Sequence, residues 1–259
     1  MALFHYQFVT EVNFQKPIYR HQFLLRCIPR ECMFQRIVES GYTVEGATWL
    51  AEGTDAFGNS IVYGAIDTFH DRFSFSSEGR IEQRCYQLND PLLPCYKYPT
   101  PLTLPSTDMM ALAAKVLKEA PADDHLKQAL MLSEALKHQF TYSSGTTDTH
   151  TSAAEAFQQH HGVCQDFAHI FIALCRLADI PARYVNGFLL GEGASHAWVE
   201  IYDNARWRGI DPTQNHLISN GYIKIAHGRD ADDCPLNRGI YMGHTDENML
   251  IKVNVTSQQ

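Results

Sequence analysis

The chain has 259 residues, 45% of them hydrophobic and 19% charged, with a net charge of -8, which is the balance of a folded protein and excludes a disordered one. Its length admits one large domain or two small ones, and the acidic balance, with no cluster of Lys and Arg, argues against a nucleic-acid partner. The seven irregularly spaced cysteines form no disulfide framework, "MALFHYQFVT" lacks the basic start and apolar run of a signal peptide, and no segment reaches the roughly 18 apolar residues of a membrane span. The expected setting is a reducing cytoplasm, away from membranes.

Residues 1–90 read as β structure. "LFHYQFVTEVNF" places Phe4, Tyr6, Phe8, Thr10, Val12 and Phe14 on one face of a strand. "DAFGNSIVYGAI" supplies a turn at Gly58 and Asn59 followed by an apolar run. "RFSFSSEGRIEQRCYQL" predicts another hairpin around Glu78 and Gly79. Residues 91–106 then carry Pro91, Pro94, Pro99, Pro101 and Pro105, which rules out a continuous helix or a central strand. That stretch reads as an extended linker between two domains.

Helices open the second half. Ser106 or Thr107 can cap "DMMALAAKVLKEA", which Pro121 ends. "DDHLKQALMLSEALKHQF" directs Leu126, Leu130, Leu136 and Phe140 inward. Ser152 and Glu155 form a capping box at "TSAAEAF". In "HGVCQDFAHIFIALCRLADIP" the residues Phe167, Ile170, Phe171, Leu174 and Leu177 share a helical face, and Asp179 and Pro181 close the helix. Strands follow in "ARYVNGFLL", "HAWVEIY" and "WRGID", separated by the turns "GEGAS" and "DNAR".

Cys164 lies at the mouth of the apolar helix, directly after Gly162 and Val163. Glycine tolerates the backbone angles of a sharp entry. The unpaired N–H groups of a first turn, and the helix dipole, favour an anion there and so a nucleophilic thiolate. The same N–H groups suit an oxyanion at the attacked carbonyl. The helix alone leaves a second reading open, that of a small buried hydrophobe. Cys175 is three turns down the helix, about 16 Å away by helix rise, too far to bridge to Cys164.

A nucleophilic cysteine needs a base, and the base an orienting acceptor. His196 opens the strand "HAWVEIY", and Asp211 closes "WRGID" just before Pro212. If "DNAR" is a tight hairpin, Tyr202 faces Trp207 and Asp203 faces Arg206. His196 and Asp211 are then diagonal neighbours on one face. A slip of one residue would send them to opposite faces.

"GVCQDFAHIFIALCRLADIPARYVNGFL" followed by "HAWVEIYDNARWRGIDPT" resembles the transglutaminase-like superfamily, in particular bacterial members described as candidate cysteine proteases. The first half, including "DAFGN", is similar to their β-rich N-terminal region, and "GRDADDCPLNRG" to their tail. The resemblance implies an α+β fold: a papain/transglutaminase-like catalytic core at residues 107–259, preceded by a β-rich, sandwich-like domain at 1–90. It implies that Cys164 is the nucleophile, His196 the base and then acid, and Asp211 its orienter. The expected activity is a cysteine hydrolase acting on a peptide or protein amide through a thioester acyl-enzyme, with no cofactor. Transfer of the acyl group to an amine, as in a transglutaminase, is one alternative, and a non-catalytic peptide-binding module is another. The sequence leaves open whether the chain forms a homo-oligomer.

Other residues each carry two readings. Gln165 and Tyr142 are candidate oxyanion donors, although a helix start favours polar residues anyway. Trp198 shares the face of His196 and either walls the site or simply packs. Asp166 either shapes the site or complements the helix dipole. His160 and His161 project about 100° apart on a helix, and no second pair of ligands completes a zinc set with Cys164. "CIPREC" lacks redox spacing. Arg229 suits local carboxylates, or a substrate carboxylate.

Overall fold

The first strand is also the longest. β1 (Ala2–Leu25) buries Phe4, Tyr6, Phe8, Thr10, Val12 and Phe14, the alternation of a strand covered on one face. In the computed structural model, which describes residues 2–258, it is followed by β2 (Gln35–Val44), β3 (Trp49–Thr54), β4 (Ser60–Ile66) and β5 (His70–Gln83). The helical part comprises α1 (Thr107–Leu117), α2 (His125–Gln139), α3 (Ala153–Gln159) and α4 (Cys164–Leu177), with the short strands β6 (Thr141–Tyr142) and β7 (His161–Gly162) on either side of α3. Then come β8 (Ala182–Leu189), β9 (Gly191–Gly193), β10 (His196–Asp203), β11 (Arg206–Asp211), β12 (His216–Leu217), β13 (Tyr222–Gly228), β14 (Asn237–Met242) and β15 (Glu247–Gln258).

β1 organises an eight-stranded sheet. Its first half lies antiparallel between β5 and β15. Past an irregularity after Asn13, its end lies between β4 and β14. The second sheet is antiparallel with the order β12-β11-β10-β8-β13. α4 packs on it against β10 and β8, and its Phe167, Ile170, Phe171 and Leu174 are fully buried. Ser106, Asp124 and Ser152 cap α1, α2 and α3 through their side chains. Among the described residues, no helix is long and apolar enough to cross a membrane.

Three expectations need correction. No hairpin forms at Glu78 and Gly79, because β5 runs straight through them. Gly79 instead marks a crowded crossing, where a Cβ would collide with the Glu39 carbonyl. The proline-rich segment is not an extended linker. It forms two 3-10 turns, Pro94–Lys97 and Pro101–Thr103, whose Tyr96 and Thr103 are buried. Arg176 of α4 holds both, donating to the Tyr96 carbonyl at 3.1 Å and to Thr103 Oγ1 at 2.7 Å. Finally, residues 107–259 are not one spatial unit, since β14 and β15 return to pair with β1. The larger of two hydrophobic clusters spans both sheets, with the Phe8 and Phe188 rings 4.8 Å apart across the junction.

The junction is also polar. β13 is an edge strand of the second sheet, and an uncovered edge leaves backbone groups without partners. Three buried amide side chains from the first half fill that edge. Gln83 accepts from Gly221 N and donates to the Tyr222 carbonyl at 2.9 and 2.8 Å. Gln35 does the same with Lys224 N and O, at 2.9 and 2.8 Å. Asn59 repeats it on His227, also at 2.9 and 2.8 Å.

Candidate active site

The site is assembled at the start of α4 and the ends of β10 and β11. The entry to α4 is made by His160, which takes φ 60° and ends α3. Gly162 is not in the left-handed region, and its role is close approach: a Cβ there would collide with the Asp166 carboxylate. That carboxylate accepts from Val163 N at 2.7 Å and from Thr147 Oγ1 at 2.7 Å. Asp166 thus turns back to hold the helix entry and the preceding loop. Burial pushes its carboxyl up, against the pull of those two donors.

The first helical hydrogen bond of α4 runs from Phe167 N to the Val163 carbonyl, so the N–H groups of Cys164, Gln165 and Asp166 precede the ladder. Half-buried Cys164 stands among them. Gln165 donates one amide hydrogen to the Thr149 carbonyl at 3.2 Å. Tyr142 is 53% exposed, and burial together with the charge of Cys164 raises its hydroxyl above the usual tyrosine value.

β10 and β11 meet at a turn in which Asn204 and Ala205 both have positive φ, the geometry of a two-residue hairpin. Asp203 pairs with Arg206 and Tyr202 with Trp207, the register that places His196 and Asp211 on one face. His196 Nε2 and Asp211 Oδ2 are 2.8 Å apart. With Nε2 given to the carboxylate, Nδ1 is the nitrogen left open, and Cys164 is near enough for its charge to act on the ring. Burial disfavours the imidazolium, but the hydrogen bonds and charges of Asp211 and Cys164 outweigh it and raise His196 from 6.5 to about 10.

Asp211 is fully buried and each of its oxygens has two donors. Oδ1 accepts from Thr213 N at 2.8 Å and Gln214 N at 3.1 Å. Oδ2 accepts from His196 and from the Tyr222 hydroxyl, each at 2.8 Å. Burial works to raise its carboxyl, yet these donors, led by His196, hold it below the usual carboxylate value. Sequence reasoning misses Tyr222. It starts β13, and no spacing rule links that position to Asp211.

Trp198 lies beneath His196, the rings 28° from parallel with centroids 6.4 Å apart. Its indole donates to Tyr86 Oη at 2.8 Å, and Tyr86 donates to Glu200 Oε1 at 2.5 Å. Buried Glu200 also accepts from Lys224 at 2.7 Å and Arg183 at 2.5 Å. Arg183 continues to Asp90, and Asp90 to Arg30. Burial pulls Lys224 down to about 8. The ionic part of this network is also invisible in the sequence, where Glu200, Lys224, Arg183, Asp90 and Arg30 each read as an ordinary surface charge. Arg229 holds Asp233 in a bidentate pair. Among the described residues, no three His, Cys, Asp or Glu side chains converge as a metal-binding set.

A groove of about 600 Å³ over β3, β4 and β14 includes none of these residues. A cleft of about 290 Å³ does adjoin the site, with Gln165 and Ser195 in its lining.

Residues 111–212 match the family model described as "Transglutaminase-like superfamily", and residues 4–82 match "Bacterial transglutaminase-like N-terminal region". Over 168 residues the chain is 33% identical to an uncharacterized protein of Mycobacterium leprae (strain TN), a stretch covering 61% of this chain and 59% of that protein. An uncharacterized protein of Mycobacterium tuberculosis (strain ATCC 25618 / H37Rv) is 37% identical over 132 residues, 45% of this chain and 42% of its own length. The chain spans about half the length of these relatives. Among solved structures, "a Putative Cysteine Protease from Cytophaga hutchinsonii" superposes with a TM-score of 0.79 at 24% identity, covering 100% of this chain and 91% of that one. At that identity the likeness is one of fold.

Proposed function

The chain belongs to the transglutaminase-like superfamily, and from that premise we propose that it is a cysteine hydrolase cleaving an amide or peptide bond through Cys164, His196 and Asp211. The observation that carries this reading is the 2.8 Å contact of His196 Nε2 with Asp211, which leaves the other ring nitrogen for a cysteine at a helix start. In the acylation step the Cys164 thiolate attacks the carbonyl carbon, and the oxyanion formed faces the first-turn N–H groups of α4. The His196 imidazolium then gives its Nδ1 proton to the leaving amine as the C–N bond breaks. Water, losing a proton to Nδ1, cleaves the thioester and releases the thiolate. Asp211 keeps the proton on Nε2 throughout, so that Nδ1 alone acts as base.

The test is intact-mass spectrometry of a peptide library incubated with wild type or Cys164→Ala, with and without a primary amine. Peptides shortened by wild type alone support hydrolysis. Peptides that gain the mass of the amine move the reading to acyl transfer. A Cys164 that neither turns over substrate nor reacts with iodoacetamide in the folded protein leaves a non-catalytic binding module.

A further inference from the structure

The cleft beside Cys164 has two differently built walls. One comes from the catalytic half: Gln165 next to the thiol, Ser195 next to His196, and Tyr184 and Asn186 of β8. The other comes from the eight-stranded sheet, through Thr10 of β1 and Met249 and Ile251 of β15. The register explains this second wall. Phe8, Thr10 and Val12 stand opposite Val253, Ile251 and Met249, and directly opposed residues of an antiparallel pair share a face. Val253 and Val255 are buried in the common core, Ile251 is half-buried, and Met249 is 50% exposed. Exposure on β15 thus rises from Val253 to Met249, and Ile251 and Met249 line the same cleft as Gln165, the residue after Cys164.

The lining is uncharged except at its rim. Asp232 and Arg238 are both mostly exposed, and Arg238 donates to the Asp232 carbonyl at 3.2 Å, with its guanidinium 3.9 Å from the carboxylate. The two charges offset one another. His150 and Tyr184 complete the titratable groups in the lining.

We propose that this cleft receives the side chain adjoining the attacked carbonyl, and that the eight-stranded sheet, through Ile251 and Met249, selects an uncharged, predominantly apolar side chain there. The inference rests on the acyl chemistry proposed above. It assigns the sheet a role in specificity, with β15 as the element that reads the substrate. A charged side chain would lose its water in a cleft that offers no free countercharge.

The experiment uses N-acetyl-aminoacyl chloromethyl ketones bearing Leu, Met, Asp or Lys side chains. The Cys164 thiolate displaces chloride to form a thioether, read as the mass increase of the full chain that Cys164→Ala lacks, since Cys85 is free and exposed as well. Rates are divided by that of iodoacetamide, which has no side chain to be read. Wild type should favour the Leu and Met reagents over Asp and Lys by about tenfold. Met249→Glu should raise the relative rate with the Lys reagent about threefold and Met249→Lys that with the Asp reagent, as expected of a half-exposed charge pair. Opposite responses from two variants at one exposed position cannot come from misfolding. Equal rates with all four reagents, or variants that leave the relative rates of the Lys and Asp reagents unchanged, overturn the inference while iodoacetamide still modifies Cys164. Failure of iodoacetamide to modify Cys164 overturns the cysteine-hydrolase reading, and the inference with it.

Discussion

Tyr222 donates its hydroxyl to Asp211 at 2.8 Å, on the same oxygen, Oδ2, that serves His196. The tyrosine is in turn held by Gln83, which bonds the Tyr222 carbonyl and the preceding N–H. Orientation of the Asp211 carboxylate thus begins in β5, in the other sheet.

Tyr222→Phe removes one donor to an ionised, buried acceptor and keeps the ring. A loss of ~1.5 kcal/mol of orientation corresponds to about tenfold in rate. The expected result is a tenfold slower turnover, or iodoacetamide reaction of Cys164 at neutral pH, with little change in melting temperature. A drop in melting temperature with unchanged reactivity would make Tyr222 a packing residue only.

Asp211→Asn separates the two oxygens. The retained Oδ1 still accepts from Thr213 N and Gln214 N, so the fold should survive. The amide nitrogen that replaces Oδ2 donates to His196 Nε2 and forces the ring proton onto Nδ1, where the base is needed. Turnover should fall by roughly 10³ to 10⁴, with the denaturation midpoint close to that of wild type. Equal losses of stability and activity would count against an orienting role.

Gln35→Leu removes the acceptor of Lys224 N and the donor shared by the Arg30 and Lys224 carbonyls, leaving the latter only a 3.4 Å contact from Arg30 N. Each buried, unpaired group costs roughly 1–3 kcal/mol, and the variant should lose ~3 kcal/mol. A urea titration should show a lower midpoint with an unchanged slope. A midpoint equal to wild type would mean that the edge finds other partners.

Stability should fall on the acid side of neutral pH. His169 is fully buried in α4 and its Nε2 accepts from Ala231 N at 3.2 Å. Burial, helped by Arg176, lowers its pKa from 6.5 to about 3. The unfolded chain therefore takes up this proton first, and the stability conferred by the neutral ring is present above pH 6.5 and lost as pH falls toward 3. Between about pH 7 and pH 5 the loss from this residue is ~2 kcal/mol. His169→Gln should lose that much less than wild type over the same interval, measured by denaturant midpoints at the two pH values.

Local signals are legible in the amino-acid sequence alone. The alternation in β1, the Ser152–Glu155 capping box and the cysteine at the start of α4 each depend on residues a few positions apart. So does the hairpin of β10 and β11, whose Asn204–Ala205 turn brings His196 onto Asp211. What stays hidden is polar and distant in sequence. Gln35 meets Lys224 across 189 residues and Asn59 meets His227 across 168. In the linear chain a buried amide, a Glu200 or a Lys224 is indistinguishable from a solvated one, because its partner is set only when distant strands and sheets meet in the folded chain. For the same reason the sequence groups β15, the last strand, with the catalytic half. Its alternating apolar residues specify a covered face, but only the tertiary fold decided that this face belongs to β1 and borders the cleft.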